Sequence, residues 1–198
     1  MRKFILITIS VFFISVLNGQ DFKGGINLAL VGSQVAGDCC SGYHKAGIKV
    51  GGYVSYPINR DAMISMELNY VQKGSRQTPT EDNDFQSYKL NLHYAELPFL
   101  FQYRIIEQLT AEGGLAYGYF IGKKEEANFQ DAVAGKPFNR HNLNFLIGFY
   151  YNVTERFRLN LRSNNSILPI RPHTSGATRL FNQGQYSDAI CLGVQFEL

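Results

Sequence analysis

Eight segments of the chain alternate apolar and polar residues, which is the pattern of β-strands with one apolar face. In the sixth segment, for example, Phe145, Ile147 and Phe149 share one face. The segments span residues 24–31, 46–56, 62–73, 88–104, 109–121, 143–151, 156–164 and 187–198. No stretch after the first twenty residues shows a convincing helical period, so the sequence predicts an all-β fold.

The connections between these segments alternate strictly between long and short. Long polar stretches follow the odd-numbered segments, at 32–45, 74–87, 122–142 and 165–186, and tight turns follow the even-numbered ones, at 57–61, 105–108 and 152–155. Short periplasmic turns and longer external loops are typical of outer-membrane barrels. The sequence therefore predicts an eight-stranded antiparallel up-and-down transmembrane β-barrel, with both termini in the periplasm and four loops outside the cell.

The first residues have the pattern of a secretory signal peptide. A short positive segment, Met1 to Lys3, precedes an apolar run over 4–17, and the chain becomes polar at Asn18. That run is shorter than the roughly 20 residues of a membrane-spanning helix. We expect a signal peptide at 1–19 and one outer-membrane barrel domain at 20–198.

The face opposite the apolar stripes combines charged and small residues. The lumen of an eight-stranded barrel is just wide enough for side chains to fill it, so small residues such as Gly51 and Gly148 suit this face. Unpaired charges there would be costly, and we expect four cations and four anions to form a neutralising network that plugs the lumen. Its predicted members are Lys49, Arg104, Arg158, Arg162, Glu67, Glu96, Glu112 and Glu197. A proton or ion path through these charges is the alternative, and a soluble lipocalin-like barrel would instead place apolar residues inside.

The final strand ends on an apolar residue, and Gly193, Phe196 and Leu198 resemble the terminal assembly signal of outer-membrane barrels. Cys191 stands where that signal has a polar residue. The resemblance implies recognition by the barrel-assembly machinery and insertion among outer-membrane lipids.

Aromatic residues near the strand ends predict two interfacial girdles. The periplasmic girdle is expected from Tyr56, Tyr103, Tyr151, Phe157 and Phe196, and the external girdle from Tyr70, Tyr88, Tyr119 and Tyr186.

The fourth segment contains a change of parity. Leu90, Leu92 and Tyr94 share one parity, whereas the apolar residues after position 96 have the other. A β-bulge at Ala95–Glu96 would return both halves to the lipid side, and we predict one there.

The remaining candidate chemistry is sparse. Charged residues make up 18% of the chain and the net charge is +3, with no dense basic cluster, so nucleic-acid binding is not expected. A lipid hydrolase would need a serine, a histidine and a carboxylate, and His93 and Glu96 with a loop serine such as Ser87 form one such set, with generic spacing. We predict no catalytic, cofactor or metal site. Cys39 and Cys40 are adjacent, and their pairing with each other would be strained.

Three motifs resemble the PorT-type family of Gram-negative outer-membrane β-barrel proteins. They lie at 22–27 (FKGGIN), at 67–76 (ELNYVQKGSR) and at 94–100 (YAELPFL). The resemblance extends over the whole mature chain and implies an eight-stranded barrel in the outer membrane. The namesake of the family is an accessory of a secretion and gliding apparatus.

Together these features predict a non-enzymatic structural or interaction module of the outer membrane, and the family resemblance implies an accessory role in a secretion or envelope assembly. Residues 32–45 and 167–186 are the external stretches expected to contact a protein partner. The alternatives are a lipid-modifying enzyme, a narrow channel and a soluble ligand-binding barrel.

Overall fold

The computed structural model describes residues 22–38, 40, 42–128, 130–131, 136–173 and 176–198. The expected signal peptide at 1–19 and Cys39 lie outside these residues. None of the helices in the described ranges is long and apolar enough to cross a membrane.

The described chain is built almost entirely of β-strands. In chain order they are β1 (Lys23–Ala36), β2 (Lys45–Pro57), β3 (Ala62–Gln77), β4 (Tyr88–Ile106), β5 (Leu109–Ala127), β6 (Gln130–Asp131), β7 (His141–Asn152), β8 (Phe157–Ser166), β9 (Ala177–Arg179), β10 (Asn182–Gly184) and β11 (Tyr186–Glu197). A short 3₁₀-helix, Glu81–Asn83, lies between β3 and β4.

Eight of these strands close into a barrel. Each long strand pairs antiparallel with the next long strand along the chain, and β1 pairs with β11 from Gly25↔Glu197 to Ala36↔Tyr186. Strand β6 extends the edge of β5, and β9 with β10 forms a separate hairpin in the last connection. The predicted eight-stranded antiparallel up-and-down barrel is confirmed.

The two ends of the barrel differ in their connections. At one end, here called the turn end, short turns occupy 58–61, 107–108 and 153–156. The start of β1 and the end of β11 lie at this same end. Asn59 shapes the first turn, because its side-chain oxygen accepts hydrogen bonds from the backbone N–H groups of Asp61 (2.9 Å) and Ala62 (2.8 Å). At the other end, the loop end, the long connections occupy 37–44, 78–87, 128–140 and 167–185.

The barrel wall is apolar outside and polar inside. On β7 the outward side chains of Phe145, Ile147 and Phe149 are about half exposed, while the alternating residues Asn144 and Tyr150 are buried. A continuous exposed apolar band of this kind marks a membrane-facing surface. The arrangement is the reverse of the lipocalin-like alternative, in which apolar groups would line the cavity.

Strand β4 keeps one parity from Tyr88 to Tyr103. Its pairing with β3 has no register shift, and Leu90, Leu92, Tyr94 and Glu96 all point into the barrel. The predicted bulge at Ala95–Glu96 is therefore wrong. The apolar residues of the loop-end half of β4 do not face lipid, because they pack against residues supplied by the long loops.

The irregularity closest to the predicted position lies on the neighbouring strand, and a second one lies at the turn end of β4, between Arg104 and Ile106. The β4–β5 register shifts between His93↔Gly122 and Tyr94↔Phe120, so Ile121 is the extra residue of a bulge in β5. After this bulge, Lys123 and Glu125 occupy the inward positions of β5. Two charged side chains thereby enter the loop-end mouth of the barrel.

The expected external girdle is only partly formed by the predicted tyrosines. Tyr70 and Tyr119 lie on the outward face, but Tyr88 packs against the interior cluster and Tyr186 is fully buried. The Tyr186 hydroxyl donates to the carbonyl oxygen of Asn182 at 2.6 Å, so this ring supports a loop and does not contact lipid.

Candidate functional site

A guanidinium group at mid-height in the lumen holds two carboxylates. Arg162 donates to both carboxylate oxygens of Glu67, at 2.9 and 2.8 Å, and to both of Glu112, at 2.7 and 2.9 Å. It also donates to the hydroxyl of Tyr150 at 2.9 Å. The side chain of Arg162 is 2% exposed, so all these bonds form away from solvent. Planar, bidentate pairing of this type is the strongest arrangement available to Arg.

Lys49 completes the charge balance of this cluster. Its ammonium lies 4.0 Å from a carboxylate oxygen of Glu67. Two cations then face two anions, and the Arg162 cluster (Lys49, Glu67, Glu112, Arg162 and Tyr150) is neutral. The space is tight, since a Cβ at Gly148 would lie 2.7 Å from Oε1 of Glu112.

A second ion pair lies closer to the loop end. Lys73 donates to Oε1 of Glu96 at 2.6 Å and to Asn164 at 3.0 Å. Asn164 and Asn144 donate in turn to the Glu96 carboxylate, at 2.9 and 3.1 Å. Lys73 was not among the predicted members of the charge network. Its position could have been predicted, because it lies an even number of residues after Glu67 in β3 and therefore faces the same side.

An apolar plug covers the Lys73–Glu96 pair on the loop-end side. Its members come from β1, from β4 and from two of the long connections. They are Val35, Leu90, Leu92, Tyr94, Phe138 and Ile170. Phe138 and Ile170 enter from the connections after β6 and β8, and Asn139 donates its backbone N–H to the carbonyl oxygen of Ile170 at 2.8 Å. Two loops are thereby anchored inside the barrel mouth.

Charged contacts tie the same loops to the wall above the plug. Arg171 pairs with Glu125 at 3.3 Å, donates to Gln185 at 2.8 Å, and stacks over Phe138 at 4.5 Å. At the base of the last hairpin, Arg179 forms two bonds to the carboxylate of Asp188, at 2.7 and 2.6 Å. The loop end is thus an organised surface, here called the loop platform (136–140, 167–173 and 176–185).

The last hairpin of the platform presents an apolar tip. Leu180 and Phe181 connect β9 to β10, and both have positive φ, 42° and 66°. Phe181 is fully exposed and Leu180 is 69% exposed. Bulky residues rarely adopt this backbone conformation, and two-residue hairpin turns of this kind favour Asn-Gly.

Three residues of the predicted charge network lie at the turn end. A mouth of about 590 Å³ opens there, and Arg104, Arg158 and Glu197 line it. Arg158 stacks on Tyr150 at 4.7 Å, and Glu197 pairs with Lys23 at 2.9 Å. Arg104 has no ion pair among the described residues. None of these three forms an ion pair with a member of the Arg162 cluster among the described residues, and Arg158 reaches that cluster only through the ring of Tyr150.

The expected assembly-signal residues lie on the closing strand. Gly193 faces the interior against Ala29, where a Cβ would lie 2.6 Å from the alanine Cβ. Phe196 and Leu198 are exposed at the turn end, and the Leu198 N–H donates to the carbonyl oxygen of Gly24 at 3.0 Å.

The residues proposed for alternative chemistry do not converge. His93 faces outward, with Nδ1 2.6 Å from the Tyr70 hydroxyl, whereas Glu96 points into the lumen. The two cannot share a catalytic site with Ser87. Within the described ranges, no group of three or more His, Cys, Asp and Glu residues is placed to hold a metal ion. Cys40 and Cys191 are both buried, on different elements.

Comparison with known proteins agrees with this architecture. A model of the family described as outer membrane protein beta-barrel domain matches residues 20–170. The fold is similar to that of Ail, the attachment invasion locus protein of Yersinia pestis (TM-score 0.53, 16% identity, covering 89% of this chain and 98% of that one). It is also similar to Neisserial surface protein A (TM-score 0.54, 12% identity, 89% and 97% covered). No curated protein matches the sequence. Since the family model covers most of the chain, the chain belongs to the outer membrane protein β-barrel domain family and is a barrel of the outer membrane.

Proposed function

We propose that this protein is a closed, non-enzymatic outer-membrane barrel that presents its loop platform outside the cell to a protein partner. In this orientation the turn end and both termini face the periplasm. The arrangement follows the asymmetry of connections in outer-membrane barrels, whose long loops are external.

The observation that carries the proposal is the apolar tip held on a fixed base. Leu180 and Phe181 are exposed at the end of a hairpin whose base is fastened by the Arg179–Asp188 ion pair. Each strained residue costs about 1–2 kcal/mol. Stability alone would favour Asn-Gly here, so the apolar side chains fit a recognition role. The partner implied is a protein with an apolar pocket.

The finer assignment follows the sequence motifs. We propose that the partner belongs to a secretion or envelope assembly, as the resemblance to PorT-type proteins implies. Residues 32–45 and 167–186 are the proposed contact stretches. The terminal residues Gly193, Phe196 and Leu198 are the proposed signal for the barrel-assembly machinery, with outer-membrane lipid surrounding the apolar band.

The test replaces the tip without harming the hairpin. Leu180→Asn/Phe181→Gly supplies the preferred turn residues and should leave the barrel folded, as judged by heat-modifiable gel mobility. A photo-crosslinking residue at position 181 in intact cells should give one discrete protein adduct, while the same group at Phe85, which is exposed in another loop, should not. Co-isolation of that adduct partner should fall at least tenfold in the double variant. An unchanged yield, or equal crosslinking from both positions, would reject this contact.

Orientation is tested separately. Protease added to intact cells should cut within 167–185 and leave the turns at 107–108 and 153–156 intact. Cleavage confined to the turns would invert the proposed orientation.

A narrow channel is the second candidate, because several buried polar atoms on the turn side of the Arg162 cluster have no hydrogen-bond partner among the described residues. They belong to Asn27, Gln102 and Gln195. Water could hydrate these groups as far as the cluster. The apolar plug and two ion-paired layers should stop ions beyond it, so planar-bilayer recordings should show no single-channel steps. Steady conductance from the wild-type protein would favour the channel.

A further inference from the structure

Outward-facing cations of the barrel strands occur on one side of the loop end. Arg76 on β3, Lys89 on β4 and Lys124 on β5 occupy neighbouring strands. The outward positions of β1, β2, β8 and β11 carry no lysine or arginine. The basic patch (Arg76, Lys89 and Lys124) therefore gives the barrel one positively charged flank.

The contact between Arg76 and Lys89 in this patch is electrostatically unfavourable without an anion beside it. Arg76 and Lys89 are direct cross-strand partners, and like charges directly opposite each other repel. Neither has an ion pair among the described residues. On its other side Lys89 has Glu126 of β5 as its cross-strand partner, and the carboxylate of Glu126 pairs with Lys124 at 2.6 Å, so these four side chains carry a net charge of +2.

A pocket lies beside the two cations. It has a volume of about 270 Å³ and is lined by Arg76, Lys89 and Glu126 together with the hydroxyl-bearing Thr78 and Ser87. A bidentate guanidinium, an ammonium and hydroxyl donors are the groups that bind phosphate oxygens in proteins.

The patch also lies at head-group depth. Four residues from Lys89 toward the turn end, His93 is hydrogen-bonded to Tyr70 on the outward face, and His141 contacts Tyr117 and Tyr119 in the same way. Aromatic side chains of this kind mark the membrane–water interface. Four strand residues span about 14 Å, and less along the axis of a tilted strand.

We propose that Arg76 and Lys89 bind a phosphate of a phosphorylated glycolipid head group in the leaflet at the loop end. The assignment to the outer leaflet rests on the proposed orientation of the barrel. Bound phosphate relieves the repulsion between the two cations and fixes one flank of the barrel against a lipid molecule.

The test is a titration of the purified full barrel in detergent with diphosphoryl lipid A, followed by native mass spectrometry. Arg76→Gln/Lys89→Gln should bind about 30-fold more weakly than the wild type, since each surface cation contributes roughly fivefold to such binding. Arg60→Gln/Arg156→Gln removes the same charge from exposed turns at the other end and should bind within twofold of the wild type. Dephosphorylated lipid A should bind the wild type as weakly as diphosphoryl lipid A binds the double variant.

Three outcomes would overturn the proposal: equal binding by the Arg76/Lys89 variant, undiminished binding of dephosphorylated lipid, or full displacement of the lipid by millimolar inorganic phosphate. Heat-modifiable mobility confirms that each variant is folded. The titration does not depend on orientation, so a loop end found in the periplasm would reject the proposed function without changing the result of the titration.

Discussion

Removing the central guanidinium should destabilise the barrel more than any other charge deletion in the lumen. Arg162→Met keeps the length of the side chain but leaves Glu67 and Glu112 facing one another with only Lys49 as a counter-charge. The cluster changes from neutral to one net negative charge, and five hydrogen bonds are lost. Breaking a buried ion pair from one side costs about 3–5 kcal/mol, and we expect about 4 kcal/mol here.

A second substitution should restore much of this loss. Glu112→Gln alone should cost about 2 kcal/mol, because it leaves an excess cation and a weaker acceptor. The double variant Arg162→Met/Glu112→Gln is neutral again, with Lys49 still beside Glu67. We expect it to cost about 3 kcal/mol, against roughly 6 kcal/mol if the single effects were additive. Arg104→Met is the matched control, because this cation lies at the open mouth without an ion pair, and it should cost less than about 1 kcal/mol.

The measurement is urea-induced unfolding in phospholipid vesicles, followed by far-ultraviolet circular dichroism because the chain contains no tryptophan. The wild type and the four variants should share one m-value, so that midpoint shifts report stability. The reasoning would be refuted by an Arg162→Met cost no larger than that of Arg104→Met. Additive costs in the double variant would likewise show that charge balance does not govern this cluster.

Three further predictions concern single positions. Gly148→Val should prevent folding or lower the unfolding midpoint sharply, because a Cβ at position 148 would lie 2.7 Å from Oε1 of Glu112. Gly122→Ala should be neutral, because a Cβ there would have no atom within 4 Å. Heat-modifiable gel mobility reports the folding of both variants. Arg171→Gln should loosen the loop platform and speed external proteolysis of it at unchanged barrel stability. Burial raises the pKa of Asp38, so its charged form is disfavoured in the folded state. Asp38→Asn should therefore raise the urea midpoint at pH 7, and the gain should disappear as the pH falls toward the ordinary carboxyl pKa of 3.8.

The barrel itself was predictable because its rules are local. Strand period, the alternation of long and short connections and the polar second face are all properties of neighbouring residues, and they led to the eight strands and their order. The interior positions of Lys49, Glu67, Glu112 and Arg162 follow from the same period. Lys73 could have been found by extending that period one step further along β3.

The features that the sequence did not predict depend on contacts between segments that are far apart in the chain. Leu90, Leu92 and Tyr94 point inward because Phe138 and Ile170 pack against them in the barrel mouth. No pattern of neighbouring residues predicts that these two loop residues enter the barrel. An apolar residue in a membrane strand was assumed to face lipid. In the loop-end half of β4 that assumption fails, because the inward side chains there have apolar partners from the long connections and from β1.

The same geometry explains why recognition is expected at the loop end. A polar lumen alone would leave long loops free to move, and binding would then have to order them at a cost of about 1–2 kcal/mol per residue. Here the plug and the Arg171 contacts order much of the platform before any partner arrives. On this preorganised platform, the strained turn at Leu180 and Phe181 is a feature that stability does not explain. Because the interior of the loop end is filled by side chains that hold the loop platform in place, this barrel suits the proposed binding role better than a transport role.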